Sequence, residues 1–305
     1  MGNDKRRARL VTMSQRIVIT GAAGMVGRVL AGQAARQGRE VLTLTSAQCD
    51  ITDPAAPERF VAAGDVVVNC AAYTQVDRAE ADPDRAHAVN TVGAENVAHA
   101  CARAGAELVH ISTDYVFSGD FGGAEPRPYE LDDEPGPLGV YGRTKLAGEF
   151  AVLAAMPDAH IVRTAWIFEG GDGADFVAAI RRLAPGEGTV DVVSDQVSSP
   201  TYVSDLVVAL LEVADGAIRE PVLHAANKGA VSRYEQARAV FEAIGADPGR
   251  IRPVGTDRHP RPAPRPMYSA LSGVRSAHAG LTPLRPWREA LTAALADVRP
   301  LPSTP

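Results

Sequence analysis

Short apolar runs alternate with amphipathic stretches over the first 165 residues of the chain. The runs are continuously apolar, which is typical of parallel strands that are covered on both faces of a sheet. They predict strands at residues 16–20, 41–45, 65–70, 107–112 and 160–166. Helical spacing predicts helices at residues 25–37, 86–104 and 141–153. Alternating strands and helices form parallel βαβ units, so the pattern predicts an α/β fold with a doubly wound parallel sheet.

The pattern becomes less regular in the second half of the chain. A helix at 203–214 and a strand at 221–226 are predicted, whereas 252–266 is dense in Arg and Pro and cannot be regular throughout. We therefore expect a dinucleotide-binding domain of residues 16–169 and 203–227. A smaller substrate-binding domain is expected to comprise residues 170–202 and 228–305. Residues 1–15 are polar and basic, and are interpreted as a disordered N-terminal tail.

A glycine pattern at the first strand-to-helix junction predicts a phosphate-binding loop. Gly21, Gly24 and Gly27 follow the first strand with G-x-x-G-x-x-G spacing and lead into the first helix. Glycines allow a tight turn and close approach of the backbone to a pyrophosphate, and the helix N-terminus supplies free amides. The loop, including Met25 and Val26, is therefore expected to bind a dinucleotide in a Rossmann-type sheet.

The end of the second strand bears on which dinucleotide is bound. NAD-selective sites place an acidic residue here for the ribose 2′-hydroxyl, but the chain has Thr43, Leu44, Thr45 and Ser46. Hydroxyls tolerate a 2′-phosphate, so we expect NADPH, with NADH as the alternative. Arg39 or Arg28 is expected to fold back toward that phosphate.

The next candidate for cofactor binding is the acidic turn at residues 50–53. Asp50 is positioned to accept a hydrogen bond from the adenine amino group. The alternative interpretation is a turn in which Asp53 caps a helix.

Tyr141 and Lys145 form a Y-x-x-x-K pair on a predicted helix. Residues four apart share a helix face, and an ammonium beside a phenol is expected to lower the tyrosine pKa and assist proton donation to a carbonyl. Only three of the 31 basic residues are lysines, namely Lys5, Lys145 and Lys228, so a lysine at this position is notable. Thr113, at the end of the fourth strand, is expected to hydrogen-bond the same carbonyl; its alternative role is to cap a loop.

Composition and charge exclude several functional classes. With 305 residues and a net charge of −6, the chain has no broad electrostatic basis for binding nucleic acid. No apolar run approaches the roughly 18 residues that a membrane span requires. The three cysteines lack C-x-x-C spacing, which argues against a zinc site and favours a reducing, cytoplasmic location. We expect no metal site.

The motifs together resemble those of the extended short-chain dehydrogenase/reductases, and within them the reductases of nucleotide-linked 4-ketosugars. The resemblance covers residues 16–299 and includes GAAGMVG (21–27), VN (89–90), STDYVFSG (112–119), YGRTKLAGE (141–149), RTAWIF (163–168) and DQVSSPTY (195–202). It implies NADPH-dependent reduction of the C4 ketone of dTDP-6-deoxy-L-lyxo-4-hexulose. Tyr141 would be the proton donor, Lys145 would lower its pKa and bind the nicotinamide ribose, and Thr113 would polarise the ketone.

The resemblance also implies the lining of the site. The residues expected along the cofactor are Asp50, Ile51, Ala71, Ala72 and Tyr73. The residues expected to bind the dTDP-sugar are Thr74, Val76, Asp114, Tyr115, Trp166, Pro200 and Thr201. A diphosphate is best held by arginine forks, which makes Arg265, with Arg261, a candidate; the alternative is a surface loop rich in arginine.

Two alternative functions stay open on the sequence. The chain could reduce another nucleotide-4-ketosugar, or it could be a non-catalytic, dinucleotide-binding regulatory subunit like that of methionine adenosyltransferase. A homodimer is the expected assembly if the chain associates.

Overall fold

A computed structural model describes residues 15–296. Its strands are β1 Ile17–Thr20, β2 Val41–Leu44, β3 Val66–Asn69, β4 Glu107–Thr113, β5 His160–Thr164, β6 Ile167–Phe168, β7 Val190–Val193, β8 Val197–Ser198, β9 Thr201–Tyr202, β10 Val222–His224, β11 Val231–Ser232 and β12 Ile251–Val254. Its α-helices are α1 Met25–Arg36, α2 Ala55–Glu58, α3 Val76–Ala81, α4 Pro83–His87, α5 Ala94–Ala104, α6 Val140–Ala155, α7 Phe176–Leu183, α8 Val203–Ala214, α9 Arg233–Ala243, α10 Val274–His278 and α11 Trp287–Ala296. A π-helical segment, Ala88–Gly93, joins α4 to α5. Nearly all of the predicted N-terminal tail lies outside the described residues.

Six parallel strands form the main sheet in the order β2-β1-β3-β4-β5-β10. Helices α1 and α8 cover one face, where Leu30 and Leu210 are fully buried, and α5 and α6 cover the other, where Val97 and Val152 are fully buried. The predicted doubly wound, Rossmann-type α/β fold is confirmed. The strand order reverses between β1 and β3, which opens a crevice at the carboxyl ends of these strands.

Three two-stranded sheets, β7–β12, β8–β11 and β6–β9, lie beyond the main sheet. Apolar side chains of α7, α9 and α11, including Val177, Phe241 and Leu291, form a separate hydrophobic core around them. The division of the chain into two domains stays a prediction. No helix within residues 15–296 is both long and apolar enough to cross a bilayer.

Two predicted elements differ in the structure. The single helix predicted at 86–104 is interrupted, because residues 88–93 adopt π-helical hydrogen bonding. The strand predicted at 160–166 ends at Thr164, since Trp166 has a left-handed backbone with φ of 43° and the chain then continues as β6. A left-handed conformation is strained for a bulky residue, so the surrounding packing must hold Trp166 in place.

Candidate active site

A cavity of about 340 Å³ opens at the carboxyl ends of β3, β4 and β5. The predicted site residues that line it are Val26, Ala72, Thr74, Val76, Thr113, Asp114, Tyr115, Tyr141, Lys145 and Trp166. A second cavity, of about 500 Å³, lies beside His224 and Leu284, away from the Tyr141–Lys145 pair. The chemistry therefore points to the smaller cavity, which also lies where open α/β sheets bind ligands.

The glycine loop after β1 forms a close-fitting backbone cradle. Gly21 has φ of 66°, and a Cβ atom there would lie 2.6 Å from the backbone nitrogen of Ala71. A Cβ atom on Gly27 would lie 2.6 Å from the Gly21 carbonyl oxygen. Gly24 caps α1 without a side-chain hydrogen bond, and the first turn of α1 carries no acidic residue. This cradle fits a pyrophosphate, because the first amides of the helix remain available to an anion.

The two arginines expected near the 2′-phosphate are paired with carboxylates in this structure, and their role in binding that phosphate stays a prediction. The guanidinium of Arg39 binds both carboxylate oxygens of Asp215, at 2.6 and 3.0 Å. Arg28 donates to the carboxylate of Glu169 at 2.6 Å. Both side chains are directed to distant carboxylates, which leaves the hydroxyls of Thr45 and Ser46 as the polar groups that follow β2.

The acidic turn at 50–53 is stabilised by its own aspartate side chains, as in the alternative interpretation of a turn in which Asp53 caps a helix. The Asp50 carboxylate accepts hydrogen bonds from the hydroxyl and the amide of Thr52, at 2.8 and 3.1 Å, which lowers its pKa. Asp53 accepts from the amide of Ala55 at 3.0 Å. Asp50 remains exposed, so its free oxygen is accessible, whereas Ile51 is buried against Gly93.

Tyr141 lies in the first turn of α6, next to the end of β4. Its ring meets that of Tyr115 edge to face, with centroids 5.9 Å apart. A Cβ atom on Gly142 would lie 2.2 Å from the carbonyl oxygen of Tyr115, so only glycine allows this approach. Burial raises the pKa of Tyr141, and a hydrogen bond with Thr113 opposes that effect only in part. The predicted lowering of the Tyr141 pKa is therefore wrong for this arrangement of side chains.

The reason lies in the direction of the Lys145 side chain. Lys145 is 2% exposed. Its Nζ atom donates to the carbonyl oxygen of Ile111 at 2.7 Å and lies 3.2 Å from Nε2 of His110. Burial lowers the pKa of Lys145 to about 8. Desolvation thus makes the ammonium less stable than it would be in water. Its hydrogen-bonding partners, Ile111 and His110, both belong to β4.

Asp114 connects β4 to two segments of the second half of the chain. Its carboxylate accepts hydrogen bonds from the hydroxyls of Ser269 and Ser198, at 2.6 and 2.9 Å. Burial raises the pKa of Asp114 to about 6, against the effect of these hydrogen bonds. Asp114 therefore holds the wall of the cavity together as well as lining it.

Arg233, which the sequence did not predict as a site residue, stacks on Trp166 in the wall of the cavity. Its guanidinium carbon lies 3.5 Å from the centroid of the Trp166 ring and 4.5 Å from that of Phe176. Burial lowers the pKa of Arg233 to about 10, and nearby Tyr115 and Asp114 offset this only in part. The only local signal was Ser232, which caps α9 and so fixes the position of Arg233 at the helix start.

The remaining predicted residues do not line the cavity itself. Pro200 and Thr201 are buried behind it, where the amide of Thr201 donates to the carbonyl of Trp166 at 3.3 Å. Arg265 donates to the Asp77 carboxylate at 2.7 Å and hydrogen-bonds Tyr115.

A side chain of the π-helical segment holds the loop that follows β3. Asn90 is fully buried. Its side chain binds the amide and carbonyl of Tyr73, at 2.8 and 3.2 Å, and the hydroxyl of Thr144 at 3.1 Å. Ala71 packs against Gly21, so the predicted residues 71–73 form a rigid wall beside the glycine loop.

Among residues 15–296, no group of three or more His, Cys, Asp or Glu side chains is arranged to hold a metal ion. The three cysteines are free thiols.

Comparison with known proteins agrees with this geometry. The family model described as "RmlD substrate binding domain" matches residues 15–299. A dTDP-4-dehydrorhamnose reductase of Mycolicibacterium smegmatis is 67% identical over 312 residues, covering 100% of this chain and 94% of that protein. The protein of the same name from Mycobacterium tuberculosis is 65% identical and covers 93% of each chain.

Solved structures extend the comparison to three dimensions. The crystal structure of dTDP-4-dehydrorhamnose reductase from Bacillus anthracis, in complex with NADP, superposes with a TM-score of 0.87 at 34% identity. It covers 93% of this chain and 100% of its own. From the cavity, the glycine loop and these full-length similarities, the chain belongs to the dTDP-4-dehydrorhamnose reductase (RmlD) family of extended short-chain dehydrogenase/reductases.

Proposed function

We propose that the chain catalyses the NADPH-dependent reduction of the C4 ketone of dTDP-6-deoxy-L-lyxo-4-hexulose to dTDP-L-rhamnose. The observation that carries the proposal is the convergence of Thr113, Tyr141, Lys145 and Trp166 on one cavity at the carboxyl ends of the sheet. The names of the full-length relatives support this substrate. A non-catalytic regulatory role is disfavoured because a proton donor and its polar neighbours are all present at the cavity.

The chain's own residues supply the proton. The raised pKa of Tyr141 keeps its phenol protonated at neutral pH, as a proton donor requires. The Thr113 hydroxyl lies within hydrogen-bonding distance of that phenol, and its single proton, which is donated to Asp114 here, would turn to the ketone oxygen as negative charge develops on it. Tyr141 then transfers its proton to the oxygen.

The bound NADPH supplies the hydride that reaches C4 of the sugar. The residues that would hold it are Gly21, Gly24, Met25, Val26, Gly27, Asp50, Ile51, Ala71, Ala72, Tyr73 and Lys145. NADPH is favoured over NADH because Thr45 and Ser46, not a carboxylate, follow β2.

The substrate would lie between two groups of side chains. Thr74, Val76, Asp114, Tyr115 and Trp166 would surround the sugar. Arg233 and Arg265 would face the diphosphate, because their guanidiniums flank Tyr115 from the second half of the chain. Pro200 and Thr201, which are buried behind the cavity wall, would position Trp166 against the substrate.

A coupled assay tests the proposal. The 4-ketosugar is generated in situ from dTDP-glucose, and oxidation of NADPH is followed by absorbance with purified protein. We expect turnover with the dTDP-linked sugar, and a lower kcat/KM with NADH. Absence of turnover with the dTDP-linked ketosugar, together with turnover of a differently linked one, would overturn the assigned substrate.

We further propose a cytoplasmic location and a homodimeric assembly. The three free cysteines support a reducing compartment. Light scattering of the purified chain tests the assembly, and a monomer at micromolar concentration would contradict it.

A further inference from the structure

A chain of buried polar side chains runs from the glycine loop to Lys145. The hydroxyl of Thr20 donates to Oδ1 of Asn69 at 2.7 Å, and Nδ2 of Asn69 lies 3.0 Å from Nδ1 of His110. On the far side of the imidazole, Nε2 of His110 lies 3.2 Å from Nζ of Lys145. All four residues are at most 2% exposed. Water therefore does not compete for these hydrogen bonds.

One backbone amide fixes the direction of the whole chain. The amide of Ala71 donates to Oδ1 of Asn69 at 3.1 Å, and a backbone N–H can only donate. This identifies Oδ1 as the carbonyl oxygen, so Nδ2 is the amide nitrogen and donates to Nδ1 of His110. Nδ1 must then be unprotonated, and the single proton of the neutral imidazole lies on Nε2.

The proton on Nε2 faces Lys145. An ammonium has three donors and no lone pair, so it cannot accept from the imidazole N–H. A neutral amine can, and it can still donate to the carbonyl of Ile111 at 2.7 Å. The hydrogen-bonding partners of Nζ, one donor and one acceptor, match the amine.

The charged groups around Lys145 give the ammonium little compensation. Glu149, one turn along α6, is bound by the guanidinium of Arg163 at 2.7 Å and by the hydroxyl of Ser112. Cys70, at the end of β3, stays a neutral thiol because burial raises its pKa to about 12. His110 is kept neutral, because burial lowers its pKa well below the usual range. Tyr141, on the same helix, stays a neutral phenol for the same reason.

We propose that His110, oriented by Asn69, is a positioning residue that presents a fixed N–H donor to Lys145 and stabilises its neutral amine. Lys145 then releases and takes up a proton near neutral pH.

The scarcity of lysine makes a direct test practical. Protein labelled with ¹³C at lysine Cε contains only three labelled side chains, and Lys5→Arg and Lys228→Arg identify two of the signals. We expect the Lys145 signal to titrate at least one pH unit below the ordinary lysine value of about 10.4. The titration is done without added dinucleotide, so it does not depend on catalysis.

Two variants separate the hydrogen-bond chain from simple burial. Asn69→Asp removes the donor to Nδ1, so the imidazole turns its proton toward residue 69 and accepts from Lys145 through Nε2. His110→Gln adds no charge and can present its carbonyl oxygen to the ammonium. Both should raise the midpoint of Lys145 by one unit or more. His224→Gln replaces another buried histidine, whose Nδ1 hydrogen-bonds the carbonyl of Ser272, and it should leave the midpoint unchanged.

Three outcomes overturn the proposal. The first is an ordinary midpoint for Lys145 in the unmodified protein. The second is a low midpoint that neither variant moves, which would assign the effect to burial alone. The third comes from long-range ¹H–¹⁵N spectra of the unmodified protein, and is a His110 imidazole protonated on Nδ1. Since none of these measurements uses substrate, they stand apart from any failure of the proposed reductase activity.

Discussion

The guanidinium of Arg233 lies over the indole of Trp166, with its central carbon 3.5 Å from the ring centroid. Arg233 begins α9, whereas Trp166 lies between β5 and β6, so the contact joins two segments that are far apart in the sequence. The same guanidinium also lies 4.5 Å from the centroid of the Phe176 ring. Arginine stacks on aromatic faces while its N–H groups remain free at the edge of the plane. The pair therefore combines a flat apolar surface, which lines the cavity through Trp166, with a cationic group stacked against it.

Replacing Arg233 by Lys should weaken substrate binding more than turnover. The lysine keeps the positive charge but loses the planar stack and the forked donors. We expect KM for the dTDP-sugar to rise roughly 10- to 100-fold, with kcat changed much less, as for loss of a charge-assisted hydrogen bond of about 1.5–3 kcal/mol. Steady-state kinetics measure this. Arg238→Lys, on the same helix but pointing to Tyr234, is the matched control and should leave KM unchanged. A normal KM in R233K would remove Arg233 from the substrate site.

Replacing Tyr141 by Phe should abolish proton donation while preserving the cavity. We expect turnover to fall by about 10²- to 10⁴-fold, the usual contribution of general acid catalysis. Binding of NADPH, measured by fluorescence titration, should stay within about twofold. Tyr234→Phe, which removes a hydroxyl that binds Arg238 and does not line the cavity, serves as the control. Comparable turnover of Y141F and the unmodified protein would show that another group donates the proton.

Adding a single methyl group to the glycine loop should prevent dinucleotide binding. In Gly27→Ala the new Cβ atom would lie 2.6 Å from the Gly21 carbonyl oxygen and 2.7 Å from Cα of Ala22, so the loop must shift. We expect calorimetry to show at least a tenfold loss of NADPH affinity. In Gly32→Ala, on the same helix, the nearest contact would be an ordinary 3.5 Å to the Arg36 side chain. That variant should bind normally and gain up to about 1 kcal/mol of stability. Equal affinities in the two variants would contradict the proposed phosphate cradle.

Removing Arg163 should destabilise the fold, because it leaves a buried carboxylate without its partner. Arg163 and Glu149 form a bidentate ion pair, and their side chains are 6% and 2% exposed. We expect Arg163→Met to lower the free energy of unfolding by about 3–5 kcal/mol in urea titrations. Glu149→Gln in the same chain should recover part of the loss, since the carboxylate is then neutral. If the double variant is no more stable than R163M, the lost stability does not come from the unpaired charge.

Asp114 should make the stability of the protein fall as pH rises from about 4 to 6. Burial raises its pKa in the folded state from 3.8 to about 6, so over this range the folded state binds more protons than the unfolded state. The contribution is fully present below pH 4 and is lost by about pH 6, amounting to about 3 kcal/mol. Urea unfolding of the unmodified protein and of Asp114→Asn at several pH values measures the difference. Parallel stability curves for the two would show that Asp114 ionises normally.

Periodicity and spacing were sufficient to predict the parts of the site that are local in sequence. Gly21 to Gly27 follow a buried strand, and Tyr141 and Lys145 lie one helical turn apart, so each group is positioned by a single element. The strands of the main sheet were predicted because both faces are buried and their apolar runs are continuous. These features depend on neighbours within a few residues.

Contacts between distant segments could not be predicted in the same way. The ion pairs of Arg28 with Glu169 and of Arg39 with Asp215 are set by the packing of α1 against other elements. Arg233 reaches Trp166 because α9 begins directly after β11, and this placement depends on tertiary packing. The direction of Lys145 toward His110 depends on the register of α6 against β4. Nothing in the local pattern of these residues encodes their partners.

The π-helical segment at residues 88–93 changes the rotation of α5 about its axis relative to α4. A π-turn holds one residue more than an α-turn, so the helix after it is rotated by about 100° relative to an uninterrupted α-helix. Deleting one residue here would restore ordinary α-helical hydrogen bonding. It would also rotate one side of the helix, so that either the apolar face of α5 turns away from the sheet or Asn90 turns away from Tyr73 and Thr144. Natural variants of this chain should therefore tolerate substitution of the exposed Val92 far better than a change in the length of the segment.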